Sequence, residues 1–277
     1  MDDTTKITDK SDTEIEKIKS ELSTLEPTKK KRALEKFGLA ALGSIPWVGS
    51  FISAAASIKA EESTIKTDNL QTKWLEEHHD KMGRLSATLE EIAERFEKLG
   101  EQIDERIQSE EYLDLVRKSF RAWDKADTDQ KRSYIANLIT NASGTNLTSD
   151  DVIRLFIDWL ELYHEVHFLV MREIYKNPGS SRYEIWTSIY PEIPREDSAE
   201  ADLYKLLIRD LSTGGVIRQA RQTTHDGRFM KKTPVRGKKS TTKTLESAFE
   251  NTKPYVLTEL GKQFVHYTMN DVVERIE

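Results

Sequence analysis

The sequence predicts a mostly α-helical protein, in which an amino-terminal helical domain precedes a carboxy-terminal domain that also contains strands. Gly and Pro number only 12 and 7 among 277 residues, which argues against an all-β or loop-dominated fold. Glu, Lys, Leu and Ala, which favour helix, are abundant along the chain. The length suffices for two modest domains or for one large helical domain.

The predicted helical domain, residues 11–145, follows a polar tail. Residues 1–10 have the composition of a disordered segment. Ser11 and Glu14 then match a capping box that precedes apolar residues at helical spacing. A short amphipathic helix is therefore predicted up to Pro27, and a run of four cations follows it.

Residues 37–58 carry no charged side chain, although 32% of the whole chain is charged. Pro46 interrupts this stretch, because it lacks a backbone donor and disfavours helix at the residue before it. Two short helices are predicted, at about 33–43 and 47–60, folded against each other as an apolar hairpin. Each would be roughly 18 Å long, which is shorter than the roughly 30 Å hydrocarbon core of a bilayer.

Three interpretations of the apolar hairpin stay open: packing in a core or an oligomer, conditional insertion into a membrane, and a constitutive span. Gly49, Ser53 and Ser57 recur at spacing four, and small residues in one stripe allow another helix to approach closely. The hairpin also resembles the insertion hairpins of α-helical pore-forming toxins and bacterial cell-death effectors. The residues expected to contact a membrane or a second copy are Phe37, Leu42, Ile45, Pro46, Trp47, Gly49, Phe51, Ile52 and Ser53.

A heptad-like pattern follows, and it predicts one long coiled-coil-like helix over residues 69–108. Self-association is expected through its apolar seam, which consists of Leu85, Leu89, Ile92, Phe96, Leu99 and Ile103. Three more helices are predicted at about 110–126, 128–142 and 150–176, with Ser109, Thr128 and Ser149 as their caps. The last of these helices is expected to join the two domains rigidly.

The pattern changes after Gly179. A first short helix is opened by Ser181 with Glu184, and a second is opened by Asp197 with Glu200. An extended segment starts at residues 216–217, a strand is predicted at 254–257, and a last helix begins after Thr258 and runs through Ile276.

The order helix, helix, helix, strand, long hairpin, strand, helix, together with the segment 255–264 (YVLTELGKQF), resembles winged helix-turn-helix proteins. In that family the second wing strand runs into an LT-x-x-G motif whose Thr caps the closing helix. The resemblance covers about residues 160–277. It implies a winged-helix domain at 150–277 with a basic wing at 218–244, which we call the basic segment.

The basic segment concentrates positive charge in a chain whose net charge is −6. Residues 218–243 contain nine cations and one carboxylate, Asp226, so their net charge is +8 and the rest of the chain carries −14. Cations that neutralise phosphates release counterions, which favours binding to nucleic acid. The segment could instead dock on an acidic protein surface, including another copy, or remain a solvated loop. The candidate binding residues are Arg218, Arg221, Arg228, Lys231, Lys232, Arg236, Lys238, Lys239 and Lys243, with Lys205 and Arg209 in the preceding helix.

That preceding helix, which would enter the major groove, is unlike a typical recognition helix. Its carboxylates are Asp197, Glu200, Asp202 and Asp210, and they outnumber its two cations. Because such a helix usually presents donors to bases and phosphates, we expect low sequence specificity. This departure also favours a protein partner for the helix.

Nothing in the sequence indicates catalysis, a cofactor or a metal. The chain has no Cys, which excludes thiolate chemistry and Cys-based zinc sites and fits a reducing cytoplasm. Two Glu-x-x-His pairs, Glu76 with His79 and Glu161 with His164, lie among many other Glu residues, so no metal site is expected.

The sequence therefore predicts a non-enzymatic cytoplasmic regulatory or binding protein. Its basic segment would contact nucleic acid or an acidic protein surface, while the helical half mediates assembly. The alternative is a bacterial phage-defence or cell-death effector, in which the carboxy-terminal domain senses a trigger and the apolar hairpin inserts into the membrane.

Overall fold

A computed structural model describes residues 29–60, 69–144, 148–221, 224–226, 228–230 and 246–269. The chain divides into two compact units, the first ending at Leu162 and the second beginning at Tyr163. The sequence pattern places this boundary slightly earlier, at 145–150. The predicted tail and first amphipathic helix lie outside the described residues.

The first unit is a bundle of helices, and the expectation of a mostly helical protein is confirmed. Its helices are α1 (Lys29–Ser44), α2 (Pro46–Ala60), α3 (Asn69–Leu99), α4 (Asp104–Gln108), α5 (Glu110–Lys125), α6 (Asp129–Gly144) and α7 (Asp150–Leu162). Helix α5 lies at the centre, since it packs against α1, α6 and α7.

Aromatic side chains from three helices form the core of this first unit. The ring of Phe37 in α1 lies 5.2 Å from that of Phe96 in α3 and 6.0 Å from that of Phe120 in α5, both edge to face. Tyr112 is fully buried, and its hydroxyl donates to the carbonyl of Ile139 at 2.8 Å. These contacts tie α5 to the helices on either side of it, and each edge-to-face pair adds about 1 kcal/mol beyond its buried area.

The predicted long helix over 69–108 is interrupted, which corrects the sequence-based expectation. Helix α3 ends at Leu99 because Gly100 has φ 76° and ψ −167°, a conformation in which a helix cannot continue. A 3-10 turn, Glu101–Ile103, and the short α4 then cover the rest of the predicted helix. The heptad pattern continues through the break, so spacing alone does not reveal it.

The predicted hairpin is a right-angled corner. Helices α1 and α2 are bent by 94° at Ile45, whereas an antiparallel hairpin would nearly reverse the chain. Pro46 is the first residue of α2, a position that needs no N–H, so α2 begins without an intervening loop. The amide of Ile45 bonds to Leu42 and its carbonyl accepts from Val48, each at 3.3 Å, which keeps the turn tight.

The helix predicted over 150–176 is also interrupted, so the expectation of one continuous helix is wrong. Helix α7 ends at Leu162, and the next helix begins at Glu165. His164 has an extended backbone (φ −89°, ψ 166°) and forms a reciprocal cap with His167, whose Nδ1 accepts from the His164 amide at 3.1 Å. A histidine pair is an unusual cap, so the sequence gives little warning of it.

In its described residues, the second unit combines four helices with a two-stranded sheet. Its elements are α8 (Glu165–Lys176), α9 (Arg182–Ile189), α10 (Ala199–Thr213), β1 (Ile217–Gln219), β2 (Tyr255–Leu257) and α11 (Glu259–Thr268). The strands are antiparallel, with Ile217 opposite Leu257 and Gln219 opposite Tyr255. Trp186, Tyr204 and Phe249 form one aromatic cluster in its core, with ring centroids 5.1 to 5.8 Å apart.

The predicted helix caps of this unit are found, with one shift. Ser181 and Glu184 form the expected capping box: the Ser181 amide donates to Glu184 at 2.7 Å and the Glu184 amide to Ser181 at 3.3 Å. The bond from the Ser181 backbone lowers the pKa of Glu184. Helix α10 is capped by Ser198, whose Oγ accepts from the Ala201 amide at 3.2 Å, and not by Asp197. The Asp197 carboxylate instead pairs with Arg195.

The LT-x-x-G motif joins α11 to β1. Thr258 Oγ1 accepts from the Gly261 amide at 2.9 Å and donates to the Gly215 carbonyl at 2.7 Å. The Thr258 amide donates to the Val216 carbonyl at 2.9 Å. One threonine therefore caps α11 and fixes the start of that helix against the chain entering β1.

Candidate functional site

The described part of the basic segment presents three arginines. Arg221 and Arg228 are exposed, and Arg218 in β1 is half-buried with its guanidinium carbon 4.9 Å from the ring centroid of Phe229. Among the described residues none of these three arginines forms an ion pair. Arg221 and Arg228 are therefore available to an acidic ligand without first breaking an ion pair among the described residues.

The other six predicted binding residues fall outside the described residues. They are Lys231, Lys232, Arg236, Lys238, Lys239 and Lys243. Their charges follow from the sequence, and their contribution to binding stays a prediction.

A cleft at the base of the basic segment brings in a cation that the sequence reasoning missed. Arg218 and Lys262 line this cleft of about 430 Å³ together with Tyr175 and Val256. Lys262 Nζ lies 2.8 Å from Glu259, and this bond, followed by the charge of Arg218, lowers the pKa of Glu259. Lys262 lies in α11, about 44 residues after Arg218, so only the pairing of β1 with β2 indicates that the two are neighbours.

The two cations predicted on α10 each lie near a carboxylate. Lys205 Nζ is 3.6 Å from Glu196, and Arg209 Nε is 3.7 Å from Asp210. Around them, α10 exposes Leu203 (46%) and also Leu206, Glu200 and Asp202. The outer face of α10 is therefore apolar and acidic, a surface poorly suited to phosphates and better suited to protein.

An apolar groove of about 480 Å³ lies between α8, α9 and α10, and we call it the α8–α10 groove. Its wall includes the loop after α9, which is held by a hydrogen bond from Trp186 Nε1 to the Glu192 carbonyl at 2.8 Å. Among the described residues, the charged ones that line it are the acids Glu192 and Glu200. The apolar lining residues are Val166, Leu169, Val170, Trp186, Ile189, Tyr190, Pro191, Ile193, Pro194, Leu203, Tyr204 and Leu207.

In the first unit, one face of the α1–α2 corner is buried and the other is exposed. Phe37, Ile45 and Phe51 are buried. Leu42 and Trp47 are half-buried, and Trp47 Nε1 donates to Asp124 at 2.7 Å. The buried face is part of the bundle core, so it is unavailable to a second molecule unless the unit opens.

The exposed face of the corner carries the remaining predicted contact residues: Pro46, Gly49, Ile52 and Ser53. A Cβ atom added at Gly49 would have no heavy atom within 4 Å. Among the described residues, therefore, no other helix packs closely against the small-residue stripe at Gly49. Its third member, Ser57, has a side chain outside the description.

Within the described residues, no single helix is long and apolar enough to cross a membrane. The segments Arg32–Ser44 and Pro46–Ala56 reach the required length and apolarity only as a bent pair.

The predicted seam for self-association is largely used inside the chain. Leu85, Leu89, Ile92, Phe96 and Ile103 are all buried, and Leu99 is half-buried. Helix α3 packs against α2 and α6, and the seam residue Phe96 contacts Phe37 of α1. Assembly through these six residues is therefore not proposed, because a second copy would have to displace the bundle core.

The Glu-x-x-His pairs gain no further ligands. Nowhere in residues 29–60, 69–144, 148–221, 224–226, 228–230 and 246–269 do three or more His, Cys, Asp or Glu side chains cluster as a metal would require. His164 forms part of the α8 cap described above.

Comparison of the chain with protein families, with curated proteins and with solved structures finds no match. Of the predicted binding residues, the structure brings Arg218 together with Lys262 at one cleft of the second unit, and it places Lys205 and Arg209 on α10 beside carboxylates. Arg221 and Arg228 are exposed elsewhere in the described part of the basic segment.

Proposed function

We propose that this chain is a non-enzymatic binding protein whose basic segment contacts the phosphates of nucleic acid. The observation that carries the proposal is the net charge of +8 over residues 218–243, together with the absence of ion pairs at Arg218, Arg221 and Arg228 among the described residues. Lys262 extends this surface onto α11.

Binding of this kind is driven by counterion release and does not depend on sequence. Helix α10 would contribute little to it, because Glu200 and Asp202 would lie close to phosphates. We therefore infer contacts to the backbone of the nucleic acid, with weak or no discrimination between bases.

We further propose that the second unit is a winged helix-turn-helix domain. The helices α9 and α10, the antiparallel strands β1 and β2, and the Thr258 cap of α11 support this assignment. In that arrangement the basic segment, which connects β1 to β2, occupies the position of the wing.

The test is a titration of a labelled random-sequence DNA duplex, followed by fluorescence anisotropy at two salt concentrations. The double variant Arg221→Gln with Arg228→Gln is expected to bind at least about tenfold more weakly at the lower salt, because two phosphate contacts are lost. The matched control is Arg117→Gln with Arg154→Gln, which removes the same charge from surface ion pairs of the first unit.

Wild-type binding that is lost in the first variant and kept in the control would support the proposal. Equal binding by both variants would show that Arg221 and Arg228 do not contribute to nucleic-acid binding. Absence of wild-type binding at low salt would instead favour an acidic protein surface as the partner of the basic segment.

A second candidate function is a membrane-active effector. It is favoured by the exposed face of the uncharged corner, where Leu39 is 71% exposed and no described residue lies within 4 Å of a Cβ at Gly49. Gly49→Glu and Ser53→Glu are expected to fold, since both positions face solvent. Growth arrest on expression that disappears in these folded variants would support the effector, and a harmless wild-type protein would exclude it.

A further inference from the structure

The α8–α10 groove has the chemistry of a docking site for an apolar segment that carries cations. Its described lining is aromatic and aliphatic, with Glu192 and Glu200 as the charged members. The hydrogen bond from Trp186 to the Glu192 carbonyl fixes the loop that forms one wall. The groove is thus preformed, and its volume of about 480 Å³ is typical of sites that accept a few side chains.

A segment with the complementary chemistry occurs in the same unit. Phe229 and Met230 are 50% and 51% exposed, although both are large and apolar. Arg228 precedes them directly and Arg221 lies shortly before. An exposed apolar pair beside unpaired arginines is what a groove with an apolar floor and two carboxylates would accept.

We propose that residues Arg228–Met230 of one copy dock into the α8–α10 groove of a second copy. The segment does not occupy the groove of its own chain: Phe229 lies against Arg218 of β1, and none of the described residues of the basic segment lines the groove. Phe229 and Met230 would fill the apolar floor, while Arg228 pairs with Glu200 or Glu192 at the rim.

This contact joins two different surfaces, a segment on one copy and a groove on the other. Two copies can each insert their segment into the groove of the other and form a closed dimer. Alternatively, each copy can bind the groove of the next and form an open chain of copies. In either form, a copy with a defective segment still offers a groove, and a copy with a defective groove still offers a segment. The inference goes beyond nucleic-acid binding, because its anchors, Phe229 and Met230, carry no charge.

The test is sedimentation velocity of the full chain over a range of concentrations. Wild type is expected to form species larger than a monomer as the concentration rises. Phe229→Glu in the segment and Leu203→Glu in the groove are each expected to weaken association at least about tenfold, as loss of a central anchor does. Leu39→Glu, an equally drastic change at an exposed leucine of the first unit, is the control and should leave association unchanged.

Mixing the two defective variants gives the decisive result. A 1:1 mixture of Phe229→Glu and Leu203→Glu should contain a heterodimer, because one intact segment can meet one intact groove. Glu200→Lys is a second groove variant in case Leu203→Glu fails to fold. Mixing Glu200→Lys with the segment variant Arg228→Glu should restore association. A monomeric wild type, association that persists in Phe229→Glu, or mixtures that stay monomeric would each overturn the proposal.

Discussion

Gly261 allows α11 to lie directly against the residue that precedes β1, and replacing it with Ala should destabilise the second unit. A Cβ at this position would come 2.2 Å from the Val216 carbonyl oxygen and 3.1 Å from its carbonyl carbon. Carbon and oxygen atoms that contact without bonding stay about 3.3 Å apart or more, so α11 would have to move by about 1 Å. That movement would stretch the bonds from Thr258 to the Val216 and Gly215 carbonyls.

The magnitude follows from opposing contributions to the free energy of unfolding. Overpacking of this kind costs about 1–3 kcal/mol, and weakening two hydrogen bonds costs up to about 1 kcal/mol each. Ala favours helix over Gly by at most about 1 kcal/mol. We therefore expect Gly261→Ala to lose about 2 kcal/mol.

The assay is urea unfolding read by amide hydrogen exchange, so that peptides from α11 and β1 report on the second unit alone. The matched control is Gly49→Ala in α2, where a methyl group has no heavy atom within 4 Å and should stabilise the helix by up to about 1 kcal/mol. If α11 and β1 of Gly261→Ala are as stable as in wild type, the close approach of Gly261 to Val216 does not limit the stability of the second unit.

Three further predictions concern stability. Phe51→Ala should cost the first unit about 3–5 kcal/mol in urea unfolding, because Phe51 is completely buried. Trp47→Phe should cost about 1 kcal/mol, measured in the same way, through loss of the hydrogen bond to Asp124. Bonds from the Ala248 amide and from a neighbouring hydroxyl lower the pKa of Glu196 below its ordinary value of 4.5. The contribution of Glu196 to the free energy of unfolding is therefore present above pH 4.5 and is lost as the pH falls through the lowered pKa. In thermal unfolding, the Glu196→Gln variant should have a lower Tm than wild type at neutral pH, and its Tm should fall less as the solution is acidified.

Local signals predicted much of the second unit. The Ser181–Glu184 box and the Thr258 cap depend on residues three positions apart, so the sequence alone reveals them. The predicted strand at 254–257 is observed as β2, since a short apolar run between turn residues admits few alternatives.

Tertiary structure decided the features that were missed. The break at Gly100 depends on a positive φ, which a heptad pattern does not report. The 94° corner at Ile45 depends on how both helices pack on the bundle. The seam is apolar whether it faces a second copy or the chain's own helices, so periodicity cannot distinguish assembly from core.

The groove was missed for a related reason. Leu203 and Leu206 adjoin Tyr204 and Leu207 in α10, and apolar residues at helical spacing are normally assigned to the core. The sequence nevertheless indicates an exposed apolar surface on α10, because Leu203, Tyr204, Leu206 and Leu207 span a wider arc than one buried helix face needs. The charge of the basic segment, by contrast, was evident from composition.

The salt dependence of nucleic-acid binding shows whether the basic segment contacts phosphates. The measurement is the slope of log K against log salt concentration for a random-sequence duplex, with wild type and with Lys231, Lys232, Lys238 and Lys239 changed to Gln. We expect a steep negative slope for wild type, and a slope for the variant that is shallower by roughly one for each lysine that contacts a phosphate. A wild-type slope near zero, or one that the four changes leave unaltered, would contradict a phosphate-binding basic segment.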